Sequence, residues 1–460
     1  MVQFLLKRIA LFIPTLLLVA LTAFILSKLV PGDPAESMLA LQGITPDNPR
    51  SGQEYARHYT TLHLNKPLFY CSLKPDFYPK NINALTDRDQ RHLVQTLLKQ
   101  KITYPAIQKY LDARTAFLSQ TTTNPEEQAL WSDWIHPVRF ENDIRQLSTL
   151  SKKKLLSQSA LHTTAESLIS AIQYMHSSQK DFYYPVLYWH GTDNQFHHWL
   201  SKILTGDFGI SSKDGQAVLP KISTALYRTL LLTLISLLVS VLISVPLGLW
   251  SGMKRGSLFD RVNQVVWLIF YAIPVFWLAS MLIIYFTSDR FGSWFHIFPA
   301  PGLWYIPEGQ HVLTTFFQYS HQLILPVICL VANDIAPLST LVRNNVIAQK
   351  SKGYVLMAYA KGLSTKQTLL RHIFPNVMLP LITIIGGRLI SGISGALIVE
   401  VIFNIPGMGR LMYDSIYAAD WNVVFGILIL LAIVAIIVLT ISDILYAWTD
   451  PRIRDKIRKS

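Results

Sequence analysis

The chain has 460 residues, of which 51% are hydrophobic and only 15% are charged, and its formal net charge is +13. Because soluble domains usually carry about 25% charged residues, this composition excludes disorder, collagen and coiled coil and argues against a large soluble enzyme. The two cysteines cannot build a disulfide framework. The positive balance would suit nucleic acid, anionic lipid or the orientation signal of a membrane protein, and the positions of the charges decide among them.

Six apolar runs are long enough to cross a bilayer as helices, which takes about 20 residues. They are residues 9–30, 229–250, 262–288, 322–342, 376–399 and 421–442. The first run follows Lys7 and Arg8, as a cleavable signal peptide would, but it exceeds the roughly 7–15 residues of a signal's apolar region. It also ends in the sequence PGDP at 31–34 and not in a small-x-small cleavage site. We therefore predict an all-α membrane protein with an uncleaved first span.

Lysine and arginine are distributed unevenly between the segments that join these runs. If the N-terminus is cytoplasmic, the cytoplasmic segments are 1–8, 251–261, 343–375 and 449–460. Together they hold 16 basic and 3 acidic residues, whereas the rest of the chain holds 25 of each. Because cytoplasmic loops carry the excess of lysine and arginine, we predict that both termini are cytoplasmic. The whole positive excess then lies on one side of the bilayer, which leaves no reason to invoke nucleic acid.

The long stretch between the first and second spans, about 31–228, then lies on the external face. Its middle, 72–194, is predicted to be soluble and helical. Apolar residues recur there at helical spacing, at Leu93, Leu97, Leu98 and Ile102 and again at Leu161, Leu168, Ile169 and Ile172. His190, His197 and His198 could suggest a metal site. Adjacent histidines point in different directions on a helix, and Asp193 is the only carboxylate at ligand spacing, so we prefer surface histidines.

The cytoplasmic segment 343–375 holds six basic residues, no acidic ones and the signals for two short helices. Gly362 stands where a helix would end in a left-handed cap, and Ser364 with Gln367 three residues later forms a capping box. Two short helices on the membrane surface would make a rigid knob for a cytoplasmic partner. A basic loop attracted to anionic lipid fits the same residues, and the spacing alone does not choose between the two.

Sequence motifs in this segment carry a family resemblance. The sequence AYAKG at 358–362, followed by RHIFPN at 371–376, resembles the cytoplasmic EAA loop of ABC importer permeases, in the form seen in dipeptide, oligopeptide and nickel importers. Further similar motifs are PGDP at 31–34, TGDFG at 205–209, PLG at 246–248, EVIF at 400–403, PGMGR at 406–410 and DPRIR at 450–454. The resemblance covers about 1–71 and 195–460 and points to the B-type of the two permease subunits.

The chain also departs from that family pattern. Leu356 and Met357 occupy the first places of the loop, so the glutamate that names it is absent, and Gly353 stands where an acidic residue usually precedes the tyrosine. Residues 72–194 look like an insertion for which the family offers no role. The expected organisation is a first helix with the start of an external loop (1–71), an external helical insertion (72–194) and a permease core (195–460).

The resemblance implies six transmembrane helices of the type I importer permease fold and a transport subunit with no catalytic residues of its own. Such a subunit forms half of a pathway for peptides or similar small solutes in the bacterial inner membrane. Its implied partners are a C-type permease, two cytoplasmic ATPases that use ATP and Mg²⁺, an external substrate-binding protein and the lipid bilayer. No cofactor or metal is expected on this chain, and it lacks the phosphate-loop sequence G-x-x-x-x-G-K-[ST].

The same resemblance assigns the coupling to the ATPases to the loop at 343–375. The residues expected to take part are Tyr354, Ala358, Ala360, Lys361, Gly362, Arg371 and Pro375. Small side chains there would allow close approach to a groove on an ATPase, and Lys361 and Arg371 would meet acidic residues.

Residues within the spans supply the candidates for the pathway, because burying a charge in a bilayer is costly. These candidates are Pro274, Asp334, Arg388 and Glu400. Asp334 and Arg388 fall near the middle of consecutive antiparallel spans, and we expect them to pair or to face the pathway. Pro274 predicts a hinge or a static kink. A stripe of small residues at 387, 391 and 395 favours close helix packing.

Two other classes of protein remain open at this point. A membrane-anchored receptor or assembly protein would use 72–194 to bind a partner, but only about twelve residues follow the last span, too few for a cytoplasmic signalling domain. An ion-coupled secondary transporter would be favoured by several intramembrane carboxylates and an inverted repeat. The sequence offers one central carboxylate and no clear repeat.

Overall fold

The computed structural model describes residues 2–45, 48–119, 135, 138, 161–180, 182–288, 296–302 and 312–449. The chain divides into two compact units. The first, which we call the membrane unit, consists of Met1–Pro31 and Gly206–Ser460. The second is Gly32–Thr205, and we call it the external unit after the location that the sequence predicts. Each unit has its own hydrophobic clusters.

Helices dominate the described residues. The elements of the first half are α1 (Val2–Leu29), α2 (Pro34–Leu41), α3 (Ser51–Thr61), β1 (Cys71–Pro75), α4 (Arg88–Lys99), α5 (Tyr104–Leu118), α6 (Leu161–Ser177), β2 (Pro185–Trp189) and α7 (Gln195–Leu204). Those of the second half are α8 (Val218–Met253), α9 (Leu258–Ala272), α10 (Val275–Phe286), α11 (Val312–Lys350), α12 (Gly353–Ala360), α13 (Thr365–Thr368), α14 (Phe374–Ile393), α15 (Leu397–Ile402), α16 (Met408–Tyr417) and α17 (Trp421–Thr449). The predicted helical class is confirmed.

Five helical stretches among the described residues are long and apolar enough to cross a membrane. They are Ala10–Leu29, Val218–Met253, His321–Lys350, Thr365–Ile393 and Trp421–Tyr446. The pair α9 and α10 passes the same test together, but it is bent by 89°. The break falls at Pro274, which cannot donate a backbone hydrogen bond and disfavours a helical residue before it. Six spans therefore remain a prediction that depends on counting this bent pair as one.

Close packing between α8 and α11 forms the centre of the membrane unit. Gly248 and Gly252 lie one turn apart on α8 and face Val342 and Val346 of α11. A Cβ at Gly248 would stand 2.6 Å from the Cβ of Val342, so only glycine allows this separation of the two helices. This is the small-xxx-small arrangement of membrane helices, and it lies on α8.

The predicted stripe of small residues on α14 is placed differently. The Cα of Gly387 faces open space, so this glycine does not mediate packing between described residues. The glycines that do so are Gly386, which faces Ser442, and Gly392, which faces Thr233. Gly395, the last residue of the predicted stripe, follows α14 and does pack closely, because a Cβ there would stand 2.4 Å from the backbone N of Gly409. The prediction therefore holds at Gly395 and not at Gly387.

In the external unit, a hydrophobic core lies between α4, α5 and α6. Its largest fully buried side chains are Leu97, Leu98, Ile102, Ile107, Tyr110, Leu168, Ile172 and Met175. Among the predicted apolar residues, those buried in this core are Leu93, Leu97, Leu98, Ile102, Leu168 and Ile172, and Ile169 packs against it, which confirms the amphipathic pattern at these positions. Ile102 follows the end of α4 at Lys99, and the side chain of Leu161 lies outside the described residues. The two strands were not predicted. They pair antiparallel from Cys71 opposite Trp189 to Pro75 opposite Pro185, and so join the two ends of 72–194.

A second cluster in the external unit joins its first helices to α4. Asp33 caps the start of α2 and accepts a hydrogen bond of 2.6 Å from the hydroxyl of Tyr55. Arg91 of α4 donates to the same hydroxyl at 2.5 Å and lies over the ring of Tyr59 at 4.1 Å. Burial raises the pKa of Tyr55 well above its ordinary value, and the Asp33 carboxylate raises it further. The PGDP segment is thereby tied to a helix of 72–194.

Candidate functional site

The loop between α11 and α14, which the sequence predicts to be cytoplasmic, folds as two short helices with an ordered turn. Helix α12 ends in a left-handed glycine, Gly362, with φ +81°. The backbone N–H of Gly362 donates to the carbonyl of Tyr359, and that of Leu363 donates to the carbonyl of Ala358, which is the Schellman pattern. Ser364 then begins α13 with both bonds of a capping box to Gln367. Both turn signals predicted from the sequence are confirmed.

One face of this loop packs inward against the membrane unit. Val355 and Ile373 are fully buried in a cluster with Val342, Val346 and Val377 of the long helices. Among the small residues expected to approach a partner, Ala360 and Gly362 are exposed, whereas Ala358 is only 4% exposed. Because Ala358 lies one turn after Val355, it shares the inward face of α12. Its role is packing within the chain.

The opposite face of the loop is exposed and combines apolar with positive side chains. Leu356 and Met357, which stand in the first places of the EAA motif, are each 61% exposed. Lys361, Lys366 and Arg371 are exposed beside them, and the segment carries no carboxylate to neutralise them. We call Leu356, Met357, Lys361, Lys366 and Arg371 the knob. Such a surface can bury its apolar residues against a partner and pair its cations with that partner's carboxylates.

Tyr354 fixes the position of α12 relative to both neighbouring helices. Its hydroxyl donates to Gln349 of α11 at 2.8 Å and accepts from the Asn376 amide of α14 at 3.2 Å. Burial raises the pKa of Tyr354, so the phenol stays protonated and can donate. Pro375 lies in the first turn of α14, where a missing backbone N–H costs little. Tyr354 and Pro375 therefore hold the knob in position, whereas the residues of the knob itself form the surface that a partner can contact.

A buried ion pair next to this loop was not predicted. Asp260, only 1% exposed, accepts two hydrogen bonds from Arg343, at 2.6 and 2.8 Å. It also accepts from the Ser251 hydroxyl at 2.6 Å and from the backbone of Gly256 at 2.8 Å. The pair thus ties together the ends of α8, α9 and α11. The signal in the sequence was the lone carboxylate in a basic segment, but its partner is 83 residues away.

Asp334 and Arg388 are brought together within the membrane unit. The Arg388 guanidinium on α14 lies 3.1 Å from the carboxylate of Asp334 on α11, with side chains 36% and 16% exposed. The expected pairing is therefore present in the structure. An ion pair in the middle of two spans limits the cost of burying each charge.

Glu400 lies at a helix N-terminus. Its side chain is 0% exposed and accepts from the Thr229 hydroxyl at 2.8 Å and from the backbone N–H of Arg410 at 2.9 Å. Thr229 in turn accepts from the N–H of Met408 at 2.7 Å. A carboxylate in this position satisfies unpaired amides and favours the positive end of the α16 dipole. Glu400 is thus an internal cap, and the described residues enclose it fully.

The Glu400 cap explains the two glycines of the sequence PGMGR at 406–410, because both lie directly against its carboxylate. A Cβ at Gly407 would stand 2.6 Å from the Glu400 carboxyl carbon, and one at Gly409 would stand 3.1 Å from its Oε2. Gly395, with φ +102°, would place a Cβ 2.4 Å from the backbone N of Gly409. Three glycines therefore allow α15 and α16 to approach the buried carboxylate.

The histidines at 190, 197 and 198 each contact another side chain. His190 is hydrogen bonded to Ser72, His197 to Tyr70 and His198 to Asp193, at 2.8, 3.1 and 3.0 Å respectively. Within the part of the chain that the structure describes, no group of three or more histidine, cysteine or carboxylate residues could hold a metal ion.

Comparisons with known proteins agree with the geometry of the loop. Residues 244–455 match the family described as binding-protein-dependent transport system inner membrane component. The oligopeptide transport system permease protein AppB of Bacillus subtilis (strain 168) is 35% identical over 260 residues, 56% of this chain and 79% of AppB. The dipeptide transport system permease protein DppB of Escherichia coli (strain K12) is 30% identical over 278 residues, 57% of this chain and 81% of DppB. Among solved structures, inward-facing MetNI methionine ABC transporter aligns over 50% of this chain and 96% of its own, at 16% identity and TM-score 0.38.

Proposed function

This chain belongs to the inner-membrane permease components of binding-protein-dependent transport systems, and we propose that it forms half of a pathway for peptides or similar small solutes. The other half is a C-type permease. Two cytoplasmic ATPases, which use ATP and Mg²⁺, grip the knob and the corresponding loop of the second permease, and an external binding protein delivers the substrate. This chain lies in the bacterial inner membrane with both termini in the cytoplasm, as its lysine and arginine distribution favours.

The observation that carries this function is the exposed face of the knob. Tyr354 and buried valines hold this loop firmly in place. Exposed apolar side chains on a loop held in this way are typical of a surface that transmits force to a partner. Closure of the ATPases around ATP would move this rigid loop as one body. The long helices α11 and α14, which the loop joins, would carry the movement to the Asp334–Arg388 pair in the spans.

The segment 72–194 has a separate proposed role at the outer mouth of the pathway, in contact with the binding protein. Its two ends pair as β1 and β2, which supports an insertion that leaves the flanking chain in place. Deletion of 72–194 should reduce uptake and weaken docking of the binding protein. Unchanged uptake together with unchanged docking would remove this role.

Reconstitution in liposomes tests the main proposal. The chain is co-expressed with the permease and the ATPases encoded by adjoining genes, and the complex is purified in mild detergent. The complex is then reconstituted in liposomes with the binding protein on the outside. We expect co-purification of all four subunits and uptake of a labelled peptide that requires ATP inside. Recovery of a solitary chain, or uptake driven by an ion gradient without ATP, would contradict the proposal and favour a secondary transporter.

A further inference from the structure

A cavity of about 520 Å³ lies between the first turns of α8 and α16 in the membrane unit. These helices run antiparallel. Thr229 of α8 contacts Met408 at the start of α16, while Ser211, before α8, donates to Asp420, which follows α16. We call this cavity the outer groove. Its volume lies within the roughly 300–1,000 Å³ of small-molecule sites, and both helices line it with polar as well as apolar side chains.

Three basic side chains line the outer groove, and two of them are already paired. Lys221 lies 2.7 Å from the carboxylate of Asp214, and Arg410 lies 3.7 Å from that of Asp414, which also lines the groove. Arg228 makes one weak contact, to the Pro406 carbonyl at 3.5 Å. Among the described residues no carboxylate forms an ion pair with Arg228, so the groove holds one positive charge in excess.

The nearest buried carboxylate, that of Glu400, does not pair with Arg228. Glu400 contacts Thr229, the residue next to Arg228, but its oxygens accept from that hydroxyl and from the backbone of Arg410. A guanidinium presents five donors in a planar fork that matches a carboxylate. The outer groove therefore presents an unused carboxylate-binding group on a half-buried side chain.

The second charged group of the groove lies further along α16. Arg228 contacts the residue just before Gly407, at the start of that helix, and Asp414 is six residues beyond Met408. Six residues of helix extend about 9 Å, and an extended peptide covers about 3.3–3.6 Å per residue. Two or three extended residues cover about 7–11 Å, a length comparable to this stretch of α16, so a short zwitterion can reach both groups.

We propose that the outer groove binds the α-carboxylate of a short peptide at Arg228 and its α-ammonium at Asp414. The Asp414 side chain is 46% exposed in its 3.7 Å pair with Arg410, so its carboxylate can accept from a second cation as well. This inference rests on the proposed function, because a peptide importer brings such a zwitterion to this face of the membrane. A carboxylate side chain of a docked protein would engage Arg228 alone. Such a side chain would leave most of the cavity empty and would bring no cation to Asp414, so a short peptide fits the groove better.

Binding to the purified importer complex in lipid nanodiscs, without ATP, tests this assignment. The probes are labelled trialanine, its C-terminal amide and its N-acetyl derivative. We expect the wild type to bind trialanine about tenfold more tightly than the amide, because a charge-assisted pair is lost with the amide. Arg228→Gln should lower the affinity for trialanine to that for the amide. Asp414→Asn should weaken the binding of trialanine but not the binding of its N-acetyl derivative.

Matched variants separate this effect from general charge and from misfolding. Lys213→Gln removes an exposed cation just before α8, outside the groove, and should leave all three affinities unchanged. Arg228→Lys should retain part of the preference for the free carboxylate. Equal affinity of the wild type for trialanine and its amide would overturn the inference even if Arg228→Gln fails to fold.

The remaining outcomes distinguish this inference from the function on which it rests. Peptide binding with the predicted preferences but no ATP-driven uptake would contradict the proposed function and leave the groove assignment standing. Uptake by the wild type with unchanged trialanine affinity in Arg228→Gln would overturn the groove assignment alone. Weaker docking of the binding protein with unchanged trialanine affinity would assign Arg228 to protein docking and would also overturn it.

Discussion

The knob and the Glu400 cap show two opposite uses of charge in the same unit. At the cap, a fully buried carboxylate has its oxygens bound within the chain, to Thr229 and Arg410. At the knob, Lys361, Lys366 and Arg371 are exposed with no carboxylate in their own segment. Internally satisfied charges fix the geometry of a chain, whereas exposed and unneutralised ones are available to partners. Charge arrangement therefore separates the framework from the interface.

The largest expected effect concerns the framework. Asp260→Asn leaves the Arg343 guanidinium largely buried without its anion, and breaking a buried pair costs about 3–5 kcal/mol. We expect a clearly lower unfolding temperature in detergent, measured by size-exclusion chromatography after heating. Asp193→Asn is the matched control, because Asp193 is 60% exposed in its pair with Lys66 and should contribute no more than about 1 kcal/mol. Equal effects of both variants would show that burial does not separate the two classes.

Disruption of the Glu400 cap should lower stability less than the Asp260→Asn substitution does. Glu400→Gln removes the charge that favours the N-terminus of α16 and turns one acceptor into a donor facing amide or hydroxyl groups. Hydrogen bonds to charged groups contribute about 1.5–3 kcal/mol, and we expect a loss in that range by the same heating assay. Glu54→Gln, at an exposed pair with Arg57, should change stability by less than about 1 kcal/mol. No loss in Glu400→Gln would refute the capping role.

The intramembrane pair tests whether framework charges also serve transport. Asp334→Arg and Arg388→Asp should each lower ATP-driven uptake about tenfold or more, because each places two like charges within a few ångströms. The double variant restores an opposite pair and should recover a substantial part of the uptake at equal subunit levels. Failure of the double variant to recover any uptake would show that the contact has no role in transport.

The smallest expected effects lie at the exposed cations. Lys361→Gln and Arg371→Gln should each weaken ATPase binding by up to about fivefold, because exposed pairs contribute about 0.2–1 kcal/mol. The effect should diminish in high salt. Arg255→Gln provides the control, because Arg255 is an exposed cation outside the knob in another segment that the sequence predicts to be cytoplasmic. A larger loss with Arg255→Gln than with either knob variant would place the interface elsewhere.

Local signals in the sequence predicted local structure well. The glycine cap at Gly362 and the capping box at Ser364 depend on neighbours within a few residues, and both form as expected. Helices α4 and α6 of the external unit followed from apolar spacing for the same reason. The resemblance in turn identified the loop at 343–375 as the candidate site.

Contacts between distant residues were predicted less completely. The Asp260–Arg343 pair and the Glu400–Thr229 contact join residues 83 and 171 positions apart, which no periodicity records. Strands β1 and β2 pair across more than a hundred residues for the same reason. Only Asp334 and Arg388 were matched in advance, because two lone charges in neighbouring spans leave few other partners. Ala358 faces inward because the packed face of α12 depends on the helices beneath it.

The central claim is that the exposed apolar face of the knob holds the ATPases. Leu356→Ser combined with Met357→Ser removes two side chains whose burial in an interface contributes about 1.5–3 kcal/mol each. Ile416→Ser with Tyr417→Ser is the matched pair of exposed residues at the end of α16. The decisive measurement is ATPase binding to the purified permease pair, with unfolding temperature measured in parallel. We predict about hundredfold weaker binding for the knob variant alone at an unchanged unfolding temperature. Undiminished ATPase binding by a folded knob variant would contradict the claim.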